Sequence, residues 1–356
     1  MPWVVVAGAA LVLALVAGAI FLRKPDFEEG VLEFKGEAEG STYNIKVVDP
    51  SLHAGTREAL DRGIAGELDL VDSTMSRFDP ESELSRFNQS RDGRPFIMSE
   101  VAIKVIAVAL QMSEKSGGAY DITVLPILRL WGFANRSPRK ELPTQAEIDA
   151  ARAHVGWRLL EVNEKDHTVR KLDPQVEIDL GSIAPGAAVD RLAEMFEAFD
   201  YRSYMIEMSG EVRAHGTRPD GSPWRIGIEK PLDGAHSVKE VIPLQNRAMS
   251  TSGDYRQFYV LGGKRLSHTM DPRTGWPIQH GLASITVVHD DCMLADAWAT
   301  ALDVLGPIDG FALAEREGIA ALFVTREKDG SFSERATKGF AALRKKAAAA
   351  PRKPVD

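Results

Sequence analysis

Between Tyr201 and Val288 the chain is a succession of short strand-like runs, at 203–208, 212–215, 224–229, 240–244, 257–261 and 282–288. Such runs, rich in β-branched and apolar residues and separated by turn residues, commit this stretch to sheet. What precedes them is mostly helical. Residues 54–76 carry Leu60, Ile64, Leu68, Leu70 and Val71 at helical spacing, 101–112 make a second helix, and Pro143-Thr144 open a third that runs to Ala153. The segment 184–199 is a further helix with Val189, Leu192, Met195 and Phe196 on one side. Two strands, 31–34 and 43–48, flank a turn at Gly40, and strand-like runs recur at 157–163, 168–172 and 176–180. After Val288 come a helix around Asp296, a helix at 310–317 and a strand at 319–325. No internal repeat and no Pro- or Gly-rich linker divides this series. The expectation is a single α+β domain over 31–340, with mixed, largely antiparallel sheets and flanking helices.

The two ends do not fit that domain. Residues 4–22 contain no charge, and 19 apolar or small residues are about the length of a helix that spans a bilayer. Arg23, Lys24 and Pro25 end the run. We expect residues 1–24 to be an uncleaved membrane anchor and 25–30 a linker. The alternative is a signal peptide cut near Ala17-Gly18-Ala19, which lacks the usual basic start. Arg23 and Lys24 alone would keep the following domain in the cytoplasm. At the other end, 341–356 is a basic, Ala- and Pro-rich tail expected to be disordered.

Composition excludes some classes. A net charge of -8 argues against nucleic-acid binding. One cysteine, Cys292, allows neither an internal disulfide nor a multi-cysteine zinc site, and its apolar neighbours suit a buried, inert thiol. Gly-x-Ser-x-Gly, His-Glu-x-x-His, the Walker A loop and the Gly-x-Gly-x-x-Gly fingerprint are all missing.

The chemistry concentrates elsewhere. In Leu294-Ala295-Asp296-Ala297-Trp298-Ala299-Thr300-Ala301-Leu302, Asp296 and Thr300 stand four residues apart on a helix, so an acid and a hydroxyl share one face. Oxygen ligands of this kind suit a hard cation such as Mg²⁺. Several Gly-bearing turns accompany it: Gly117-Gly118-Ala119-Tyr120-Asp121, Asp179-Leu180-Gly181-Ser182, Ser209-Gly210-Glu211 and Thr251-Ser252-Gly253-Asp254-Tyr255. Turns that lead into helices offer backbone N–H groups and a positive dipole end to phosphate. His268 is the one histidine in a dense polar setting, His268-Thr269-Met270-Asp271-Pro272-Arg273.

Taken in order, Ser76-Arg77-Phe78, the run Ser82 to Asn88, GGAYDIT with a following Leu130-Trp131-Gly132-Phe133, DLGSIAPGAAVD, TSGDY, HTMDPRTG and ADAWAT resemble the motifs of the ApbE family of FAD:protein FMN transferases over about residues 31–325. The resemblance implies a T-fold-related domain that binds FAD and Mg²⁺ and moves FMN onto a Thr or Ser hydroxyl of a partner flavoprotein, releasing AMP. It implies Asp296 and Thr300 as Mg²⁺ ligands, with the Ser182 carbonyl beside them. Ala119, Tyr120, Asp121 and Asp179 would line the FAD site, Phe78 would stand near the flavin, and Asp254 and His268 close to the reacting phosphates. It further implies an acceptor in a membrane redox complex and a catalytic domain in the periplasm, tethered to the inner membrane. The chain departs from the family pattern in three places. Pro185 and Ala187 replace a Lys and a Tyr at the helix entry, Glu39 replaces a Met against the flavin, and Ser209-Gly210-Glu211 replaces Gly-Gly-Asp. The competing readings are an FAD pyrophosphatase and a non-catalytic, membrane-tethered flavin binder.

Overall fold

The computed structural model describes residues 30–349 except 39, 50–54, 135, 136, 138, 233–236 and 256. Residues 1–29, which hold the expected anchor (1–24) and all but the last residue of the expected linker (25–30), and Glu39 lie outside the described residues. Among the described residues no helix is long and apolar enough to cross a membrane.

The centre is one eight-stranded sheet whose strands follow chain order: β1 (Val31–Ala38), β2 (Ser41–Val48), β3 (Tyr204–Met208), β4 (Glu211–His215), β5 (Arg247–Gly253), β6 (Leu282–His289), β7 (Ala320–Arg326) and β8 (Phe332–Ala336). Every neighbouring pair is antiparallel. Successive side chains of a strand point to opposite faces, and here both faces are apolar. Ala248, Ile285, Val287, Ala321 and Phe323 face the main core, while Met249, Val288, Leu322 and Val324 face a second one.

Four long helices complete the frame: α1 (Thr56–Met75), α2 (Glu100–Lys115), α3 (Ala184–Ala198) and α4 (Cys292–Arg316). They cover the main core; a hairpin of 224–229 and 238–244 supplies Trp224, Ile228, Ile242 and Leu244 to the second. Helix α4 breaks at Gly306, whose φ of 78° an L side chain rarely adopts, and Pro307 starts its second half. The sequence separation of an Asp296 helix from one at 310–317 thus has a backbone cause.

Three expectations need correction. The run 176–180 is extended but pairs with no strand. The segment 250–255, read as a turn connecting strands, is strand as far as Gly253: it ends the central strand β5, which has neighbours on both sides, and only Asp254 and Tyr255 lie in a turn. Its Ser250, Thr251, Ser252 and Gly253 lack the apolar alternation of a strand because this end of it faces a cavity. The C-terminal tail is helical as far as 349: α5 (Lys338–Ala349) buries Phe340 in the second core, and Arg344 pairs with Glu240 at 2.6 Å and Glu334 at 2.9 Å. Residues 350–356 lie outside the described residues.

Candidate active site

A cavity of about 520 Å³ opens between the ends of β4 and β5, α4 and the turn that enters α3. Ten of the eleven residues expected at the site line it: Phe78, Ala119, Tyr120, Asp121, Asp179, Ser182, Pro185, His268, Asp296 and Thr300. Asp254 does not.

The position of α4 is set at its first turn. Asp291 caps it, accepting the Leu294 N–H at 2.8 Å. The Asp190 carboxylate of α3 accepts the N–H groups of Cys292 and Met293 at 3.1 and 2.8 Å. Carboxylates at a helix N-terminus answer its unpaired donors and its dipole. Burial, more than the nearby Asp291, pushes the Asp190 pKa up to about 7, against the Arg213 guanidinium that pairs with it. Cys292 is buried beside this cluster, and burial raises its thiol pKa well above the ordinary value, so it is the inert thiol expected.

One turn along α4, Asp296 is 5% exposed and its Oδ2 accepts the Gly186 N–H at 3.1 Å. Gly186 has to be glycine, because a Cβ there would stand 2.6 Å from the Cys292 carbonyl oxygen and 2.9 Å from the Asp296 Cβ. Thr300 follows at the next turn, its Oγ1 3.5 Å from Ser252 Oγ on β5. The Ser182 hydroxyl donates to the Tyr120 oxygen at 3.1 Å. Among the described residues no hydrogen bond ends on the Ser182 carbonyl. Burial first, with Asp296 and Asp121 adding, holds the Tyr120 phenol neutral far above its usual pKa.

The remaining walls come from the other turns. Gly117 and Gly118, at φ 64° and 81°, reverse the chain after α2 and carry Tyr120 and Asp121 inward. Asp121 spends its oxygens on the protein, accepting from Thr123 N–H at 2.8 Å, Thr123 Oγ1 at 2.6 Å and Trp157 N–H at 2.8 Å. Burial nonetheless raises its pKa. Asp179 pairs with Arg77 and accepts the Gly181 N–H at 2.7 Å. The Arg77 guanidinium lies 4.7 Å from the centre of the Phe78 ring, which stands at the cavity mouth, 61% exposed. His268 Nδ1 lies 3.0 Å from the Gln257 carbonyl. A carbonyl only accepts, so Nδ1 carries the proton and Nε2 is the basic nitrogen.

Asp254 is held away from this group. Its carboxylate meets Arg326 at 2.8 and 3.2 Å and Arg265 at 3.3 Å, a bidentate clamp that positions it as an anchor for the loop after β5. Arg213 pairs with Asp190 and so does not stand in for the Lys that Pro185 replaces; it does not line the cavity. Arg77 does, and the sequence reading left it without a role. Glu211 was also unassigned; it is buried on the cavity wall and accepts from Ser250 Oγ at 3.1 Å.

Four carboxylates, Asp121, Asp179, Glu211 and Asp296, and one guanidinium, Arg77, therefore line the cavity among the described residues. A phosphate entering such a wall needs a cation with it. Among the described residues no cluster of three or more His, Cys, Asp and Glu forms a metal centre. The donor set that could take one is a buried carboxylate, a hydroxyl and a carbonyl that accepts no bond, all oxygen, which fits Mg²⁺.

The family model for the ApbE family matches residues 40–323. The chain belongs to the ApbE family. A relative from Haemophilus influenzae named FAD:protein FMN transferase is 39% identical over 319 residues, covering 88% of this chain and 92% of that protein. One of the same name from Escherichia coli K12 is 36% identical over 89% of the chain. Among solved structures, a flavin transferase ApbE from Vibrio cholerae superposes with a TM-score of 0.80 at 38% identity, covering 88% of this chain and 99% of that one. The apo form of a Pseudomonas stutzeri flavinyl transferase ApbE gives the same TM-score and identity over 90% and 98%. The mixed, mostly antiparallel α+β fold expected from sequence matches these ApbE structures.

Proposed function

We propose that this ApbE protein is an FAD:protein FMN transferase that moves FMN from FAD to a Thr or Ser hydroxyl of a partner flavoprotein and releases AMP. The observation that carries the reading is that Asp296 and Thr300 of α4, Ser182 of the turn before α3, and His268 all line one cavity. The relatives' names supply the substrate. In the reaction the acceptor hydroxyl forms a bond to the flavin-side phosphorus, the pyrophosphate P–O bond breaks, and AMP leaves. His268 Nε2 would take the hydroxyl proton. Arg77, supported on Asp179, offers its charge to a phosphate, and Phe78 offers an exposed ring at the mouth for the flavin. Asp296, Thr300 and the Ser182 carbonyl would hold Mg²⁺, which when bound neutralises charge on the pyrophosphate oxygens.

Pro185 and Ala187 leave the helix entry without a cation, so FAD binding rests on Arg77 and the metal. The same reading makes residues 4–22 an inner-membrane tether for a periplasmic domain, facing a membrane redox complex that contains the acceptor. Protease digestion of the domain in intact spheroplasts is expected; protection until lysis would reverse this topology. For the site, Asp296→Ala is expected to abolish Mg²⁺-dependent transfer without altering the circular dichroism spectrum. Undiminished transfer at limiting Mg²⁺ would remove the assignment.

A further inference from the structure

The spacing that pairs Asp296 with Thr300 continues. Asp303 lies seven residues beyond Asp296, so it shares the same face of α4 two turns along. It is fully buried, and its Oδ2 accepts the Thr269 hydroxyl at 3.0 Å. Its Oδ1 has no hydrogen-bond partner among the described residues. A buried carboxylate with a single neutral partner is costly to fold around, and among the described residues no ion pair accounts for this one. Thr269, its partner, lines the cavity directly after His268. The backbone of Thr269 is pinned on both sides: its N–H donates to Ser267 Oγ at 3.1 Å, and its carbonyl accepts the Ile278 N–H at 3.0 Å.

We infer that Asp303 is a positioning residue that fixes the Thr269 hydroxyl as an acceptor facing the cavity, for an N–H or O–H donor of the bound dinucleotide. A hydroxyl has one proton and two lone pairs. Once the proton is committed to Asp303 Oδ2, only lone pairs are left for the cavity. Thr269 then favours a ligand that brings a donor and disfavours one that brings an acceptor to that point. The same bond ties the segment carrying His268 to the helix carrying Asp296 and Thr300.

This inference rests on FAD being the ligand. The test is equilibrium titration of FAD by intrinsic tryptophan quenching, with FMN transfer by the wild type measured in the same preparation. Thr269→Val, which keeps the shape and removes the hydroxyl, is expected to weaken FAD binding by about three- to tenfold, the worth of one hydrogen bond. Thr269→Ser should bind like the wild type. Asp303→Asn should weaken binding on its own and add nothing in the T269V background. If T269V binds FAD as tightly as the wild type, or if D303N weakens binding equally in both backgrounds, the inference fails. A wild type that binds FAD but transfers no FMN would instead sink the proposed function and leave this result readable.

Discussion

A single methyl group at Gly186 tests the link between packing and metal binding. In Gly186→Ala the new carbon would sit 2.6 Å from the Cys292 carbonyl oxygen, 2.8 Å from the Met293 Cα and 2.9 Å from the Asp296 Cβ. Carbon atoms at rest lie about 3.5–4.0 Å apart, so α3 and α4 must separate by roughly 0.5–1 Å. Two of the three obstacles are backbone, which leaves no side chain to swing aside. Overpacking of this kind costs about 1–3 kcal/mol, a loss of about 3 °C in Tm at 2 kcal/mol for a domain of this size. The same shift stretches the 3.1 Å bond from the Gly186 N–H to Asp296 Oδ2. Mg²⁺ demands ligand distances held to about 2.0–2.1 Å, so the ion should bind at least about tenfold more weakly.

The assay is thermal unfolding with and without Mg²⁺, because a ligand bound only to the folded state raises Tm with its concentration. The wild type should show a Mg²⁺-dependent rise that G186A loses. Gly339→Ala is the control. It places a methyl 3.1 Å from Ala320 Cα, between α5 and β7 and away from the cavity, and should lower Tm while keeping the Mg²⁺ response. A G186A protein that melts and responds to Mg²⁺ like the wild type would refute the reasoning, as would loss of the response in both variants.

Other outcomes follow from single residues. Pro185 lines the cavity at the entry of α3; Pro185→Lys should tighten FAD binding by one to two decades, from a charged contact of about 1.5–3 kcal/mol, and unchanged quenching titrations would make the cation dispensable. Burial first, with Asp254 adding, pushes the Asp303 pKa up to about 7 from 3.8 in the unfolded chain. The folded state therefore keeps a proton that the unfolded state releases, carried on the unpartnered Oδ1 while Oδ2 still accepts from Thr269, and wild-type stability falls as pH rises from 4 to 7. Asp303→Asn removes this slope, so its Tm relative to the wild type should climb between pH 4 and 7 and level off above; a pH-independent difference would contradict the assignment. Arg77→Ala strips the buried Asp179 and the exposed Phe78 ring of their cation and should both weaken FAD binding and lower Tm, since Asp179 is left as an unpaired buried carboxylate; an unaltered titration would show that Arg77 does not meet the ligand.

The helices with apolar stripes were legible because Leu60, Ile64, Leu68 and Val71 all turned out buried on one face of α1. Strand β5 was not, since its site-facing residues are small hydroxyls whose partners, Glu211, Thr286 and Thr300, come from distant segments. Asp296 and Thr300 could be paired from spacing alone, and extending that spacing to 303 would have reached Asp303. Its role still depended on Thr269, 34 residues away, which no local pattern connects to it. Asp254 shows the reverse case. It sits in a polar, Gly-bearing motif like a catalytic acid, but Arg326 arrives from the far end of the chain to hold it. The tail read as disordered because its composition is basic and rich in Ala; one Phe and one well-placed Arg are enough to dock α5.

The most direct test of the account is the fate of the two halves of FAD. The full chain is incubated with Mg²⁺, FAD labelled in the adenine ring, and a solubilised membrane-protein fraction, with a parallel Asp296→Ala reaction. The account predicts a fluorescent protein band that survives denaturing electrophoresis, labelled AMP released in equal amount, and neither product with D296A or with chelator. Labelled AMP appearing with free FMN and no fluorescent band would contradict it and make the chain a hydrolase of FAD.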